Sequence, residues 1–263
     1  MTRPIVRAAL IGCAWALAVG PAGAEVQFFP DATVRLMAAR YQPTETDLHW
    51  TGWIGAGAGL VRVDGVTGYG MAELETILGD TLRVFEANQA NYHLELGLRR
   101  TFGSFEVGPF FHHVSRHYVD RPKVQAVDWN VLGLRAAGTV RPGGFPLRVG
   151  GSLGHTTQAS LPGYRFEATA FMEVTPSETE GARPYARVSA RAVTVRDAAT
   201  ATTETLDRGG FLDRAGEAGL RIAGGSNSVD LFVAWERRND VFLEVPGARS
   251  RALLGLRIQA RSQ

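Results

Sequence analysis

The chain has 263 residues, 45% of them hydrophobic, with 31 glycines, one cysteine and a formal charge of +2. That length suits one large domain or two ordinary ones. The near balance of charge, with no basic run, excludes a dedicated nucleic-acid surface.

The first element is the segment 1–24, MTRPIVRAALIGCAWALAVGPAGA. Arg3 and Arg7 flank an apolar run from Ala8 to Gly20, and Ala22-Gly23-Ala24 is a small-residue cleavage site. The pattern predicts a secretory signal peptide cut after Ala24, because the apolar run is too short to span a bilayer. The alternative is a lipoprotein box, LIGC, with Cys13 as the lipidated residue. After ordinary cleavage, residues 25–263 form one domain without a cysteine, and so without a disulfide framework or a thiolate metal site.

From there the chain alternates apolar and polar residues with period two, in segments of about ten residues. Twelve strands are predicted, near 32–41, 48–63, 67–78, 90–101, 104–117, 127–140, 144–157, 163–175, 184–195, 210–223, 228–238 and 250–261. In the fourth, Tyr92, Leu94, Leu96 and Leu98 share one face, and His93, Glu95, Gly97 and Arg99 the other. In the eighth, Tyr164, Phe166, Ala168, Ala170 and Met172 share a face. Short links (DGVT, TFGS, RPGG, GGSNS) alternate with longer polar ones at 79–89, 118–126, 196–209 and 239–249.

An even strand number, alternating faces and alternating link lengths are the pattern of a bacterial outer-membrane barrel. The expected fold class is therefore all-β: a transmembrane antiparallel up-and-down β-barrel of about twelve strands, following a cleaved signal peptide. Its short turns and both chain ends fall on the periplasmic side. The competing fold is a soluble sandwich or lipocalin-like barrel, which would bury the apolar face and expose the charged one. The expected partners of a barrel are the outer-membrane lipid, lipopolysaccharide, and the barrel-assembly machinery during insertion. No nucleic acid, cofactor or metal is expected.

The stretch FFHHVSRHYVD at 110–120 concentrates candidate chemistry. Alternation puts His113 and Ser115 on the lipid-facing side with Phe111, and His112 and Arg116 in the lumen. Asp128 on the returning strand has the outward parity too. With a loop at 118–123, His113 and Asp128 lie opposite each other. A serine, a histidine and an acid so arranged form a nucleophile–base–orienter set. A metal reading needs His117 and Asp120 gathered by the loop, because His113 and His117 are about 13 Å apart along an extended strand. The bland reading is an interfacial belt of amphipathic rings.

The pattern HVS followed by an acid, on a barrel with outward-facing histidine and serine, resembles the lipid A 3-O-deacylase family. The resemblance implies His113 as base, Ser115 as nucleophile and Asp128 as acid. That family has asparagine directly after the serine, where this chain has Arg116, and glutamate where it has Asp128. The longer stretch 85–120 also resembles an uncharacterised family of predicted barrels with a His-x-Ser-x-His-x-x-Asp motif, matched by His113, Ser115, His117 and Asp120. That likeness implies the fold without an activity.

The inward faces carry a second set: Glu73, Glu75, His93, Glu95, Arg99, Glu106 and Arg135. The expectation is a charge network that fills and rigidifies the lumen; the alternative is a selective pore. The sequence thus points to a lipid-directed ester hydrolase on an outer-membrane barrel, with a small-solute channel or structural envelope barrel as the alternative.

Overall fold

The computed structural model describes residues 25–45, 47–80, 83–119, 126–161, 163–175, 180–195, 209–239 and 248–262. The predicted signal peptide and Asp120 lie outside the described residues. The alternating segments become β1 (Val26–Phe28), β2 (Ala32–Glu45), β3 (Leu48–Val63), β4 (Val66–Gly79), β5 (Glu86–Phe102), β6 (Phe105–Tyr118), β7 (Val127–Val140), β8 (Leu147–Leu161), β9 (Tyr164–Val174), β10 (Gly181–Val195), β11 (Gly210–Gly224), β12 (Asn227–Arg238) and β13 (Arg249–Ser262). From β2 onward each strand pairs antiparallel with the next, and β13 returns to β2 from Ala252↔Gln42 to Ser262↔Ala32. Twelve strands therefore close into a barrel, as the sequence pattern predicts. β1 is an addition too short to show period two; it pairs with Val61–Val63 of β3, past the end of the β2 pairing.

The short turns follow from their residues. Asp64 and Gly65 both have positive φ, 48° and 78°, as the two-residue turn between β3 and β4 requires. At the other end the links are not uniformly long. Two residues separate β2 from β3 and β8 from β9, whereas 14 separate β10 from β11 and ten separate β12 from β13.

The barrel is apolar outside and charged inside. Leu134, Leu153 and Leu254 are 63%, 64% and 62% exposed, while Glu75, Glu95, Asp230 and Arg257 are buried. A soluble barrel would bury those leucines, since its core is its main source of stability. Exposure of nearly every outward Leu, Val and Ile around the ring is instead the surface that hydrocarbon solvates.

Two aromatic-aliphatic clusters lie among the interior charges. One gathers Phe110, Val114, Trp129, Val131, Tyr164 and Phe211; the other gathers Tyr41, Leu48, Ile77, Tyr185, Phe232 and Leu253. Tyr164 corrects the expectation that it shares the outer face of Phe166. The β9–β10 register shifts at Thr194/Val195, where Tyr164 pairs with Val195 but Phe166 with Thr194. The extra residue turns the Tyr164 ring inward, edge-on to Trp129 at 5.0 Å. In the second cluster the Phe232 ring lies over Gly255, where an added Cβ would stand 2.3 Å from its Cζ. Only glycine leaves room for that ring.

The inverted surface makes a direct prediction. Leu254 lies near the middle of β13 and faces outward. Leu254→Arg should cost about 2–4 kcal/mol in lipid vesicles, the usual penalty for arginine on a barrel's lipid face. Reversible urea unfolding followed by tryptophan fluorescence measures it. A change within about 0.5 kcal/mol, normal for an exposed position of a soluble protein, would contradict the membrane assignment.

Candidate active site

β6 sets the site by strict alternation. Phe110, Val114 and Arg116 are buried in the interior, and Phe111 is exposed on the wall. His113, Ser115 and His117 therefore share the outer face with Phe111, and His112 belongs to the lumen. The three outward residues line a shallow depression with Ala90, Tyr92, Leu94, Tyr118 and Val119. It lies at the end of β6 away from the short turn, where the β6–β7 link begins.

Neighbouring strands supply the partners. His113 Nδ1 is 2.6 Å from Asn130 Oδ1. An amide oxygen only accepts, so Nδ1 carries the proton and Nε2 keeps its lone pair. Ser115 Oγ lies 3.3 Å from His117 Nε2, and the His117 ring meets Tyr92 edge-on at 5.3 Å. Ser115 therefore sits between two imidazoles spaced two residues either side on one strand face.

The register differs from the expected one by two residues. The β6–β7 ladder ends at Arg116↔Val127, so Ser115 pairs with Asp128 and His113 with Asn130. Asp128 does face outward, but both its oxygens accept from Ser160, at 3.0 and 2.9 Å. The β7–β8 pairing shifts at Asp128/Trp129 and again at Asn130/Val131. Such irregularities re-aim side chains and recur beside active sites. Asn130 was visible in the sequence as a polar residue of outward parity, but choosing it over Asp128 required the register. Arg116 is buried inside, its guanidinium 5.1 Å from the Trp129 ring, so it lies behind the wall from Ser115. Among the described residues, no group of three or more His, Asp or Glu is arranged to hold a metal ion.

The inward set assembles as a network. Arg35 meets Glu73 at 2.6 Å. Arg135 forks onto Glu95, which also accepts from Tyr69 at 2.8 Å. Arg99 bonds Asp31 at 2.5 Å and approaches Glu106 at 3.8 Å. His93 Nδ1 lies 3.4 Å from His112 Nε2, with the rings stacked. Glu75 accepts from Arg238 at 2.7 Å and from Asn91 at 2.6 Å. Arg238 is on β12 and Glu75 on β4, with β13, β2 and β3 between them. That bridge is a strut across the lumen.

Cutting the strut should be measurable. Arg238→Met leaves the buried Glu75 carboxylate without its cation, a change that typically costs about 3–5 kcal/mol. Equilibrium unfolding in vesicles should show that loss, and planar-bilayer recordings should show larger conductance than the wild type. An unchanged midpoint and unchanged conductance would mean that the strut neither stabilises nor obstructs the lumen.

No known protein family and no curated protein sequence matches the chain. Solved structures do match in fold. LpxR from Salmonella typhimurium superposes with a TM-score of 0.50 at 8% identity, covering 86% of this chain and 99% of its own. The outer membrane phospholipase of Salmonella typhi, a dimer with bound calcium, gives 0.52 at 13% identity, covering 86% and 90%. Outer membrane phospholipase A of Escherichia coli, in an active-site variant with asparagine replaced by alanine, gives 0.50 at 12% identity, covering 88% and 91%. At these identities the likeness is one of architecture: the chain has the closed twelve-stranded barrel fold of outer-membrane proteins.

Proposed function

We propose that this protein is a lipid-directed serine hydrolase of the bacterial outer membrane, cleaving acyl esters at its outer wall. The observation that carries the reading is the hydrogen bond between His113 Nδ1 and Asn130 Oδ1, with Ser115 two residues along the same lipid-facing strand. That bond holds the tautomer a general base needs.

In the proposed reaction Ser115 Oγ attacks the ester carbonyl and gives its proton to His113 Nε2. Collapse of the tetrahedral intermediate expels the alcohol, which takes that proton, and leaves the acyl group on Ser115. Water then attacks the acyl-serine with His113 again as base, releasing the fatty acid. Asn130 orients the imidazole, the role the sequence pattern gave to Asp128. His117, already beside Ser115 Oγ, is a donor able to meet the developing oxyanion from the same face.

Two further points support the reading. The resemblance to the lipid A 3-O-deacylase family falls on His113 and Ser115. Among the similar folds, the phospholipase from Escherichia coli has an asparagine at its active site. A membrane enzyme at this site meets its substrate in the plane of the leaflet, so the acyl ester of a phospholipid or of lipid A is the substrate class.

A non-enzymatic envelope barrel is the second reading, favoured by the ion-paired lumen. Purified protein in mixed micelles, offered phospholipid and lipid A, separates the two. Ser115→Ala and His113→Ala should each reduce fatty-acid release by about 10³-fold or more. Asn130→Ala should cost about 10²-fold, in line with loss of tautomer control, while Asp128→Ala should retain most activity. If the wild type releases no fatty acid from either lipid and Ser115 resists a fluorophosphonate probe, the hydrolase reading fails and the structural one stands.

A further inference from the structure

A second feature of the outer wall lies away from Ser115. From β10 to β13 the outward positions are almost wholly apolar: Leu212, Leu231, Val233, Trp235 and Leu254 are large and exposed. Among the described residues, only two charged side chains point outward there, Arg214 on β11 and Arg237 on β12. Both are exposed, and they are direct partners in the β11–β12 ladder. Directly opposed residues have Cβ atoms about 5 Å apart, and like charges so placed repel. Inside the barrel Arg191, Arg221, Arg238 and Arg257 are each ion-paired to a carboxylate; here, among the described residues, no carboxylate answers either arginine.

Their level in the wall is set by the strand. Leu231, Val233 and Trp235 precede Arg237 on one face, an apolar run ending in an indole and then a cation. That is the order expected on passing from hydrocarbon through the interfacial belt to the headgroups. Arg237 is the last outward residue of β12 before the 239–248 link, which places the pair at the extracellular rim. Beside it the wall is low: Ala190 pairs with Arg214, and Gly216, across from Trp235, has open space where a side chain would stand.

We infer that Arg214 and Arg237 form a binding site for a phosphate group carried by an outer-leaflet lipid. Two guanidinium forks can bracket one phosphate through paired N–H···O bonds. The anion relieves the repulsion between the arginines, to which no carboxylate is paired among the described residues. The lipid origin of the phosphate follows from the position of the site on the hydrocarbon-facing wall, with Trp235 and the low floor at Gly216 available to the acyl chains. β11 and β12 stand five and six strands from β6, so the site is separate from Ser115 and independent of the proposed activity.

The test compares wild type, R214Q/R237Q and R214K/R237K in detergent, each first verified as folded by heat-modifiable gel migration. Thermal unfolding is followed with no addition, with bis-phosphorylated lipid A, with chemically dephosphorylated lipid A, and with inorganic phosphate. Phosphorylated lipid A should raise the wild-type Tm. The glutamine pair should weaken its apparent affinity about tenfold or more, with the lysine pair intermediate because it keeps charge but loses the fork. Without lipid, the glutamine pair should be as stable as wild type or more so, since the repulsion is gone. The inference is overturned if the glutamine pair responds like wild type, or if dephosphorylated lipid A stabilises equally. Equal stabilisation by inorganic phosphate overturns the lipid origin. Ser115→Ala should respond as wild type whether or not the protein is a hydrolase.

Discussion

The structure depends on one constraint: within hydrocarbon, every backbone N–H and C=O must find a partner in the protein. An open sheet cannot satisfy it, because its two edges face a medium with no hydrogen bonds to offer. Pairing β13 with β2 removes both edges. Once the sheet is closed, the period-two alternation divides the side chains into two concentric surfaces. The surface solvated by lipid must be apolar, so the polar half of each strand is committed to the interior. The exposed leucines and the buried carboxylates have that one cause.

Burying so many charges would be ruinous without pairing, and the chain pairs them with arginine. Of 28 basic residues, Lys123 is the single lysine. A guanidinium can serve two carboxylates at once, as Arg191 does with Glu167 and Asp213, and Arg221 with Glu173 and Asp230. It can also lie against a ring, and Arg191 is within 6 Å of Trp129, Tyr164 and Phe211. The interior therefore behaves as a cross-linked core. Val114 and Trp129, both almost fully buried, anchor β6 and β7 from inside, opposite the wall that carries His113, Ser115 and Asn130. The site is held from behind, on strands, where positions are better fixed than on loops.

The fold was legible because it is written in the one signal that sequence carries well, the period of hydrophobicity. Each of the twelve alternating segments became a strand, and the two faces of Tyr92–Leu98 separated as alternation requires. Faces were legible for the site too: His113, Ser115 and Asp128 all point outward. Register was not. It depends on where the β6–β7 ladder ends, and nothing in the local sequence marks Arg116↔Val127 as its last pair. A difference of two residues keeps every side chain on its face but exchanges Asp128 for Asn130 opposite His113. Bulges were equally hidden. Nothing local in Tyr164-Arg165-Phe166 says that the first ring turns inward; the β10 neighbour decides it.

That exchange of asparagine for aspartate has a physical sense on this wall. In the proposed hydrolase a carboxylate beside His113 would stabilise an imidazolium strongly, but between turnovers it would stand as a charge toward lipid, where an unpaired anion is costly. An amide fixes the same tautomer with no net charge. For the proposed reaction the loss would be in transition-state stabilisation, since a neutral acceptor does less for a transient imidazolium. Asp128 lies closer to the β6–β7 link, where the Ser160 hydroxyl donates one hydrogen bond shared between its two oxygens. The neutral Asn130 is deeper, and the anion is held at the rim.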